Sequence, residues 1–381
     1  MTITYNKTRA HVHLDAIVKN FKLVADRVKR PMPVIKSDAY GHGVVEVGLA
    51  LEAVGAREAG IGMICEGVTL RKGGFKGDIV ALLGAHDDAD AMDCVHHDII
   101  PMVFDMAGLE RMAKAYSLTQ SAHANPAPVR IGLKFDTGMA RLGFTEHDVP
   151  TLCQALKAYP MLNPYLAASH LAVADDPKQM DATKAQGDMF ARIMHGLREH
   201  YPQILGSLAN TAASLAYPEL HWDIQRPGIA LYGSNPLRHT ELESFGAGLT
   251  PTMSVETPIL QVHALPKGKT SSYGRTFTAD KDMTVAVIAA GYADIFSRSS
   301  SNKGYVLIHG QRAPILGRVC MQTCMVDVSH IQNVAAGDAA WLMGEPNNDP
   351  NAISCDELAD IWGTISYEAL CLLGMNTRIV E

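Results

Sequence analysis

The sequence predicts an α/β protein, namely an N-terminal (β/α)8 barrel followed by a smaller, mainly β domain. Three observations lead to this prediction. Over the first 240 residues, short apolar runs alternate repeatedly with longer segments whose apolar residues have helical spacing. After about residue 240 the apolar runs are short, β-like and separated by turn residues. The chain has 381 residues, a length that fits about two domains.

The barrel elements follow one another in a regular order. An amphipathic helix is expected over residues 14–30, before the first strand. Strands are expected at 33–35, 61–64, 79–84, 99–104, 129–135, 164–170, 204–210 and 228–233. Intervening segments such as 43–60 and 178–201 carry apolar residues at helical spacing. Repeated strand–helix alternation of this kind predicts a parallel barrel.

A doubly wound sheet is the main alternative to the barrel. That fold predicts a glycine fingerprint that binds phosphate at the first strand–helix turn. The stretch "GHGVVE" (41–46) has the first two glycines but carries Glu46 where the third is required. The pattern G-x-x-x-x-G-K-[ST] does not occur in the sequence either. The barrel is therefore favoured.

The second part of the chain predicts a β domain that begins near residue 240, so the domains are expected at 1–240 and 241–381. Its short β-like stretches are separated by turn residues, with few helical patterns between them. These stretches are 252–268, 283–294, 304–321, 324–331 and 339–344. A short helix is expected over residues 354–362.

Composition excludes several classes of function. The net charge of -7 is scattered, and no basic stripe predicts nucleic-acid binding. No apolar run approaches the roughly 20 residues of a membrane helix, and the first residues lack the apolar core of a secretory signal. The seven dispersed cysteines are typical of reduced thiols in a cytoplasmic protein. Cys320 and Cys324 have no second pair, and 86–98 is expected to be a solvated helix face, so no metal is expected.

Chemically useful side chains collect where barrel strands are predicted to end, which is where barrel enzymes place their active sites. They are Lys36 and Tyr40 after strand one, Lys134 and Arg141 at strand five, His170 after strand six, Asn210 and Thr211 after strand seven, and Arg226 and Gly228 near strand eight. A group of cationic side chains and hydrogen-bond donors at one end of the barrel suits an anionic ligand that carries phosphate and carboxylate groups. Each residue has an ordinary structural explanation, such as a surface lysine or a core histidine. Their coincidence at strand ends favours a functional site.

The sequence has a lysine at the end of strand one and neither a set of metal ligands nor a nucleotide-binding loop. This combination suits a lysine that forms a Schiff base with a carbonyl compound. Pyridoxal 5'-phosphate is the obvious candidate, because it offers an aldehyde and a phosphate. The amides of Gly228 and Ile229 could bind the phosphate, with hydroxyl donors from Tyr40 and Thr211. If Arg226 faces the pyridine nitrogen, that nitrogen stays unprotonated, because guanidinium keeps its proton.

Seven motifs then occur in the order that is typical of alanine racemases. They are "PVIKSDAYGHG", "LKFDTGMARLG", "QRPGIALYG", "SSYGRTFTA", "GYAD", "GRVCM" and "GTISYE". The chain resembles that family from Val34 to Arg378. The resemblance implies a barrel with a β domain, into which residues 11–15 would insert a strand. It also implies a cytoplasmic head-to-tail homodimer that makes D-alanine for the bacterial cell wall.

The resemblance also implies a role for each matching residue. Lys36 would bind pyridoxal phosphate and act on the D-enantiomer, while Tyr273, supplied by the partner subunit, would act on the L-enantiomer. Two groups are needed, because racemisation removes a proton from one face and returns it on the other. Arg141 and the main chain at Met321 would hold the substrate carboxylate. The expected cofactor-binding residues are Tyr40, His170, Asn210, Thr211, Arg226, Gly228, Ile229 and Tyr367. Lys134 matches a lysine that is often carbamylated and then orients Arg141.

Two positions depart from the family pattern. Gln322 stands where the family usually has aspartate, and Ser207 stands where it usually has a histidine that supports the cofactor's arginine. The first departure leaves serine or broader amino-acid racemisation open as alternatives to alanine. A pyridoxal-phosphate decarboxylase shares the barrel and the lysine but lacks the tyrosine motif. The last alternative is a protein that carries the cofactor without enzymatic turnover. Proteins of that kind are similar to the barrel part of this chain alone.

Overall fold

The computed structural model describes residues 6–119, 128–345 and 349–381. The chain divides into two contact-dense units. The barrel unit comprises Ile17–Ala39 and Gly43–Leu249, and the β unit comprises Met1–Ala16, Tyr40–His42 and Thr250–Glu381. Because each unit draws on separate stretches of chain, this division does not test two consecutive domains, and the boundary near residue 240 stays a prediction.

The described residues contain the following regular elements. The strands are β1 (Arg9–Val12), β2 (Glu58–Ile61), β3 (Asp78–Ala81), β4 (Ile99–Val103), β5 (Val129–Lys134), β6 (Leu162–Ala168), β7 (Leu205–Ser207), β8 (Met253–Leu265), β9 (Thr270–Ser271), β10 (Phe277–Thr278), β11 (Met283–Ile288), β12 (Tyr305–Ile308), β13 (Gln311–Pro314), β14 (Cys324–Asp327), β15 (Ala339–Met343) and β16 (Thr377–Val380). The helices are α1 (Leu14–Ala25), α2 (Lys36–Gly41), α3 (Val44–Ala53), α4 (Ile64–Lys72), α5 (Asp88–His97), α6 (Met106–Thr119), α7 (Val149–Ala158), α8 (Met180–Arg198), α9 (Thr211–Ala216), α10 (Cys355–Trp362) and α11 (Ser366–Leu373). None of these helices is long and apolar enough to cross a membrane.

The barrel unit is a curled parallel sheet in the order β2-β3-β4-β5-β6-β7, with a helix after each strand. Two bridged segments close the sheet. Val34 bridges Gly60 of β2, and Pro31 bridges Gln225. The amide of Val34 also donates to the carbonyl of Pro227 at 2.8 Å. The segments around residues 31–35 and 225–227 therefore take the two remaining positions, and the predicted (β/α)8 barrel is confirmed.

The barrel interior is filled by alternate residues of its strands, because successive side chains of a strand point to opposite faces. Met102, Leu166 and Ala168 pack there with Met32 and Val80, and every one of these side chains is buried. Gly132 of β5 faces Met102, and a Cβ atom at residue 132 would lie 2.2 Å from the Met102 sulfur. A larger residue at this position would therefore force the Met102 side chain to move.

The predicted eighth strand at 228–233 is wrong. Residues Ile229–Tyr232 form a short 3₁₀ helix, and the parallel pairing falls on the preceding residues up to Pro227. The run "IALY" is entirely buried, and a short apolar run buried on all sides does not distinguish a strand from a helical turn. The first predicted strand is likewise reduced to an isolated bridge at Val34, and the opening helix ends at Ala25 instead of residue 30.

The β unit is an eight-stranded sheet built around the 13-residue strand β8. The main path is β13-β12-β15-β8-β1-β16, and β11 joins β8 to β14. Strand β1 pairs antiparallel with β8 and parallel with β16, so the two ends of the described chain lie side by side in this sheet. Helix α10 begins after Ser354, whose hydroxyl accepts the Glu357 amide at 3.1 Å. Helix α11 and strand β16 were not predicted from the sequence.

Candidate active site

Lys36 opens a turn with an unusual backbone. The next residues, Ser37, Asp38, Ala39 and Tyr40, all have φ between 53° and 54°. This is the left-handed region, which disfavours residues with a Cβ atom by roughly 1–2 kcal/mol each. The turn, α2, is therefore left-handed and needs support from outside. One support is the Ala39 amide, which donates to the carbonyl of Ile35 at 2.9 Å.

Lys134 lies at the end of β5 among other cations. Burial, together with the neighbouring Arg226 and Arg141, lowers its pKa to about 7. Burial also holds the pKa of His170 well below its ordinary value, with Arg226, Lys134, Arg141 and Lys36 contributing to this lowering. The structure thus brings together five of the residues predicted at the strand ends. Four of them are cationic at their ordinary pKa values, so the cluster attracts an anionic ligand.

Arg226 is buried, and its described hydrogen bonds go to neutral oxygens. Nη1 donates to the Ser207 hydroxyl at 2.6 Å, and Nη2 donates to the carbonyls of Ser169 and Leu208. Burial lowers its pKa to about 10, which leaves the guanidinium protonated at neutral pH. The Ser207 hydroxyl in turn donates to the carbonyl of Ile224 at 2.8 Å. Ser207 therefore supports Arg226 at the position where the sequence departs from the family pattern.

Asn210, Thr211 and Gly228 form an amide-rich corner of the barrel unit. Asn210 caps α9, since its side-chain oxygen accepts the Ala213 amide at 3.1 Å. The Gly228 amide donates to the Thr211 hydroxyl at 2.8 Å, and Ile229 begins the adjacent 3₁₀ helix. Two helical N-termini therefore lie side by side, and such N-termini present amide hydrogens to phosphate or carboxylate groups.

Gln186 of α8 is a buried residue of this region that sequence reasoning missed. Its Nε2 donates to the carbonyl of His170 at 3.1 Å, and its Oε1 accepts the Ala172 amide at 2.8 Å. Nε2 also lies 3.3 Å from the Thr137 hydroxyl, in the loop that leads to Arg141. Gln186 thus fixes the loops after β5 and β6, and nothing in the helical pattern of α8 distinguishes it.

Asp136 was also missed, although the sequence carried a signal for it. One carboxylate oxygen accepts the amides of Gly138, Met139 and Ala140 at 2.9, 2.9 and 3.1 Å. These hydrogen bonds hold the pKa of Asp136 below its ordinary value, against the opposing effect of burial. Aspartate ahead of "TG" is typical of such a turn, so the turn that precedes Arg141 could have been predicted.

Tyr40 and Tyr367 lie together in the β unit. Their ring centroids are 5.8 Å apart. Tyr40 is buried, and burial together with Tyr367 and Cys371 raises its pKa, so its hydroxyl keeps its proton. His42 follows closely, with Nδ1 at 3.1 Å from the Tyr40 carbonyl and Nε2 at 2.9 Å from the Thr252 hydroxyl. Both ring nitrogens of His42 are engaged in structural contacts.

Tyr273 and Met321 are exposed on the β unit, at 69% and 57% respectively. The Ser272 hydroxyl donates to the carbonyl of Arg318 at 2.5 Å and lies 3.4 Å from the Cys320 sulfur. A Cβ atom at Gly274 would lie 3.5 Å from the Arg318 guanidinium carbon. The segments that carry Tyr273 and Met321 are therefore joined, with a cationic side chain beside the tyrosine turn.

The described ranges 6–119, 128–345 and 349–381 contain no group of three His, Cys, Asp or Glu side chains arranged to hold a metal ion. The residues from 86 to 98, which could suggest metal ligands, form most of α5 and its flanks. Asp87 caps that helix, and its side chain accepts the Asp90 amide at 2.8 Å.

The sequence of this chain matches two family models and several known proteins. A sequence model for the alanine racemase N-terminal domain matches residues 12–236, and a model for the C-terminal domain matches residues 252–380. An alanine racemase from Nitratidesulfovibrio vulgaris is 59% identical over 379 residues, covering 99% of this chain and 98% of the relative. An alanine racemase from Lawsonia intracellularis is 40% identical over 366 residues, covering 96% of this chain and 95% of the relative.

Solved structures agree with the sequence comparison. The alanine racemase from Streptomyces lavendulae, a D-cycloserine producer, has a TM-score of 0.90 at 29% identity, covering 99% of this chain and 98% of its own. The Bartonella henselae alanine racemase, described with covalently bound pyridoxal phosphate, has a TM-score of 0.83 at 26% identity and covers 98% and 99%. The family expected from the sequence motifs is confirmed, and this chain belongs to the alanine racemase family.

Proposed function

We propose that this protein is an isomerase that interconverts L-alanine and D-alanine with pyridoxal 5'-phosphate as its cofactor. Identity of 59% over nearly the full length of a curated alanine racemase carries the proposal. The cationic cluster of Lys36, Lys134, Arg141 and Arg226 supports it, because both the cofactor and the substrate carry anionic groups.

The donor set of the barrel unit fits the three chemical parts of this cofactor. The Lys36 amine suits the aldehyde, and the amides of Gly228 and Ile229 suit the phosphate. The Thr211 hydroxyl would add a phosphate donor, and His170 and Asn210 would line the cofactor site. The resemblance to the family also assigns the hydroxyls of Tyr40 and Tyr367, which belong to the β unit, to the phosphate. When bound, pyridoxal phosphate supplies a ring that accepts electron density from the carbon that loses its proton.

Arg226 would face the pyridine nitrogen. A guanidinium that stays protonated at neutral pH donates a hydrogen bond without giving up its proton, so the nitrogen would remain unprotonated. The described partners of Arg226 are neutral oxygens, which leaves its positive charge available to the ring. A ring kept neutral at nitrogen accepts less electron density, and this limits side reactions such as loss of carboxylate.

Lys36 and Tyr273 would be the two acid–base groups. Racemisation removes the α-proton from one face and returns a proton on the other, so one base on each face is required. We assign the D-enantiomer to Nζ of Lys36 and the L-enantiomer to Oη of Tyr273. The Arg318 guanidinium lies beside the turn that carries Tyr273.

Arg141 and the main chain at Met321 would hold the substrate carboxylate. Lys134 lies close enough to Arg141 for the arginine's charge to lower its pKa, so a negative charge placed on Lys134 would attract the arginine. A lysine whose pKa is about 7 is largely neutral at slightly alkaline pH, and only the neutral amine reacts with carbon dioxide. We therefore propose that Lys134 forms a carbamate, releasing one proton, and that the resulting anion orients Arg141.

The exposed position of Tyr273 supports a head-to-tail homodimer in which each subunit supplies this tyrosine to its partner's site. The enzyme would act in the cytoplasm and supply D-alanine for peptidoglycan. Serine or broader amino-acid racemisation is the second candidate, because Gln322 replaces the usual aspartate beside Met321. The decarboxylase and carrier alternatives give no reason for the Tyr273 motif.

The test is incubation of the purified protein with L-alanine and, separately, with L-serine, followed by chiral chromatography. We expect D-alanine to form faster than D-serine. Faster formation of D-serine would keep the reaction type and change the substrate. Absence of both D-products from protein that retains the cofactor would overturn the proposal in favour of a carrier or a decarboxylase.

A further inference from the structure

The left-handed turn that follows Lys36 begins without glycine, the residue type that normally adopts this conformation. Four consecutive residues with a Cβ atom, 37–40, adopt positive φ before the first glycine, Gly41. Such residues avoid this conformation unless the surroundings hold it. The position of the lysine therefore depends on the groups that fix this turn from outside.

Glu66 of α4 is one such group. Its Oε1 accepts the amide of Asp38, inside the turn, at 2.9 Å. Its Oε2 accepts the amides of Gly62 and Met63, at the end of β2, at 2.8 and 3.0 Å. The two oxygens of one carboxylate thus tie the lysine turn to the neighbouring strand end.

Gly62 shows how closely these groups pack. A Cβ atom at residue 62 would lie 2.9 Å from Oε2 of Glu66 and 3.4 Å from Cβ of Lys36. The space between the glutamate carboxylate and the lysine is thus too small for a further side chain. The Glu66 carboxylate and the base of the Lys36 side chain therefore both lie against the same side of Gly62.

Asp38 also connects the turn to the next helix, α3. Its Oδ1 accepts the Val44 amide at 2.8 Å, at the start of α3. Its carbonyl accepts the Gly43 amide at 2.9 Å. The turn is therefore held at its centre by Glu66 and at its exit by the backbone of α3.

We propose that Glu66 is the positioning residue for Lys36, fixing the left-handed turn from which the lysine side chain extends. This inference rests on the proposed function, because it concerns the lysine assigned to the cofactor. A carboxylate is required for the geometry. A glutamine has one accepting oxygen and could not accept amides on both sides.

The test compares Glu66→Gln with Glu52→Gln in the full-length protein. Glu52 is a matched control, because its Oε1 also accepts two backbone amides, those of Lys76 and Gly77, at 2.7 and 2.8 Å. These amides precede β3 at the opposite end of the strands from Lys36. The measurements are hydrogen–deuterium exchange of the peptide spanning residues 33–43 and pyridoxal-phosphate affinity of cofactor-free protein by fluorescence titration.

For Glu66→Gln we expect about tenfold faster exchange in residues 36–43 and about tenfold weaker cofactor binding, the effect of losing one charged hydrogen bond. Glu52→Gln should leave both at wild-type values. A second change, Ser37→Gly, should restore cofactor affinity in the Glu66→Gln protein, because glycine adopts positive φ without strain. Ser37 is exposed, so little packing is lost.

Equal exchange and equal affinity in the two glutamine variants would overturn the inference. So would a uniform increase in exchange over the whole barrel that Ser37→Gly does not reverse, since that would make Glu66 a general stability residue. Failure of the proposed function is a different result. In that case the wild-type protein itself would not bind pyridoxal phosphate.

Discussion

The hydroxyl oxygen of Ser207 lies 2.6 Å from Nη1 of Arg226, and both side chains are buried. This contact joins a charged group to a neutral acceptor that cannot titrate. A histidine at residue 207 could change its protonation state near neutral pH, whereas serine cannot. In this chain the support of Arg226 is therefore independent of pH over the range in which the enzyme would work.

Ser207→Ala should destabilise the protein and weaken cofactor binding, because a buried guanidinium would lose an acceptor. The expected loss in the free energy of unfolding is about 1–3 kcal/mol. Urea unfolding and pyridoxal-phosphate titration measure the two effects. Ser271→Ala is the control, since that buried hydroxyl donates to the Leu316 carbonyl and contacts no cofactor residue in our assignment. Equal cofactor affinities in the two variants would contradict a role for Ser207 at the site.

The lowered pKa of Lys134 predicts that the free energy of unfolding depends on pH. Its pKa is about 7 in the folded protein, well below the ordinary value of about 10.4 that applies to the unfolded chain. Between these two values the unfolded chain binds the extra proton, so the free energy of unfolding rises with pH, by at most about 1.4 kcal/mol per pH unit. Below pH 7 both states are protonated, and the full cost of a buried charge remains.

Lys134→Met removes this titration. The variant should therefore be more stable than the wild type at pH 6, with the difference shrinking as pH rises towards 9. Urea unfolding in carbon-dioxide-depleted buffer measures both proteins. A constant difference across this range would show that Lys134 does not titrate as assigned. Carbon-13 NMR with labelled bicarbonate should separately show a carbamate signal that is absent from the variant.

Tyr273→Phe should impair proton removal from L-alanine by about a hundredfold or more, the usual contribution of a positioned general base. Exchange of the α-proton with deuterated solvent, followed by NMR from each enantiomer, measures the step directly. Tyr305→Phe is the control, because Tyr305 is also an exposed tyrosine of the β unit. An unchanged exchange rate from L-alanine would remove Tyr273 from the mechanism.

Gln322→Asp should change substrate preference if this position controls which amino acids reach the site. We expect the ratio of alanine to serine turnover to rise, because an aspartate restores the charge that is usual in the family. Steady-state rates with both substrates measure the ratio. If the ratio is unchanged, Gln322 is a neutral replacement.

The parallel barrel could be predicted because its strands are short buried runs separated by long helical patterns. The eighth strand could not, since the run at 229–232 is buried on all sides and carries no periodicity. The left-handed turn after Lys36 was also beyond prediction. Only tertiary contacts such as that of Glu66 with the Asp38 amide hold residues with a Cβ atom in this conformation.

The strand-end cations could be predicted because barrel topology gathers strand ends at one face. In the barrel unit Arg226, Lys134, Arg141 and Lys36 all lower the pKa of His170, and the two arginines also lower that of Lys134. Glu66 was missed because its contact with the Asp38 amide joins residues 28 apart in the chain, and Gln186 was missed because it acts on backbone groups of loops outside its own helix. Such contacts leave no pattern in the local sequence.

The central claim is that Lys36 binds the cofactor, and reduction with borohydride tests it most directly. Borohydride fixes pyridoxal phosphate permanently to the amine that holds it, and mass spectrometry of the digested protein then identifies that lysine. Lys134 is the rival amine, because its pKa of about 7 also leaves it partly neutral near physiological pH. We predict the cofactor on the peptide that contains Lys36 and its loss in Lys36→Ala. Cofactor fixed to Lys134, or retained in Lys36→Ala, would contradict the account.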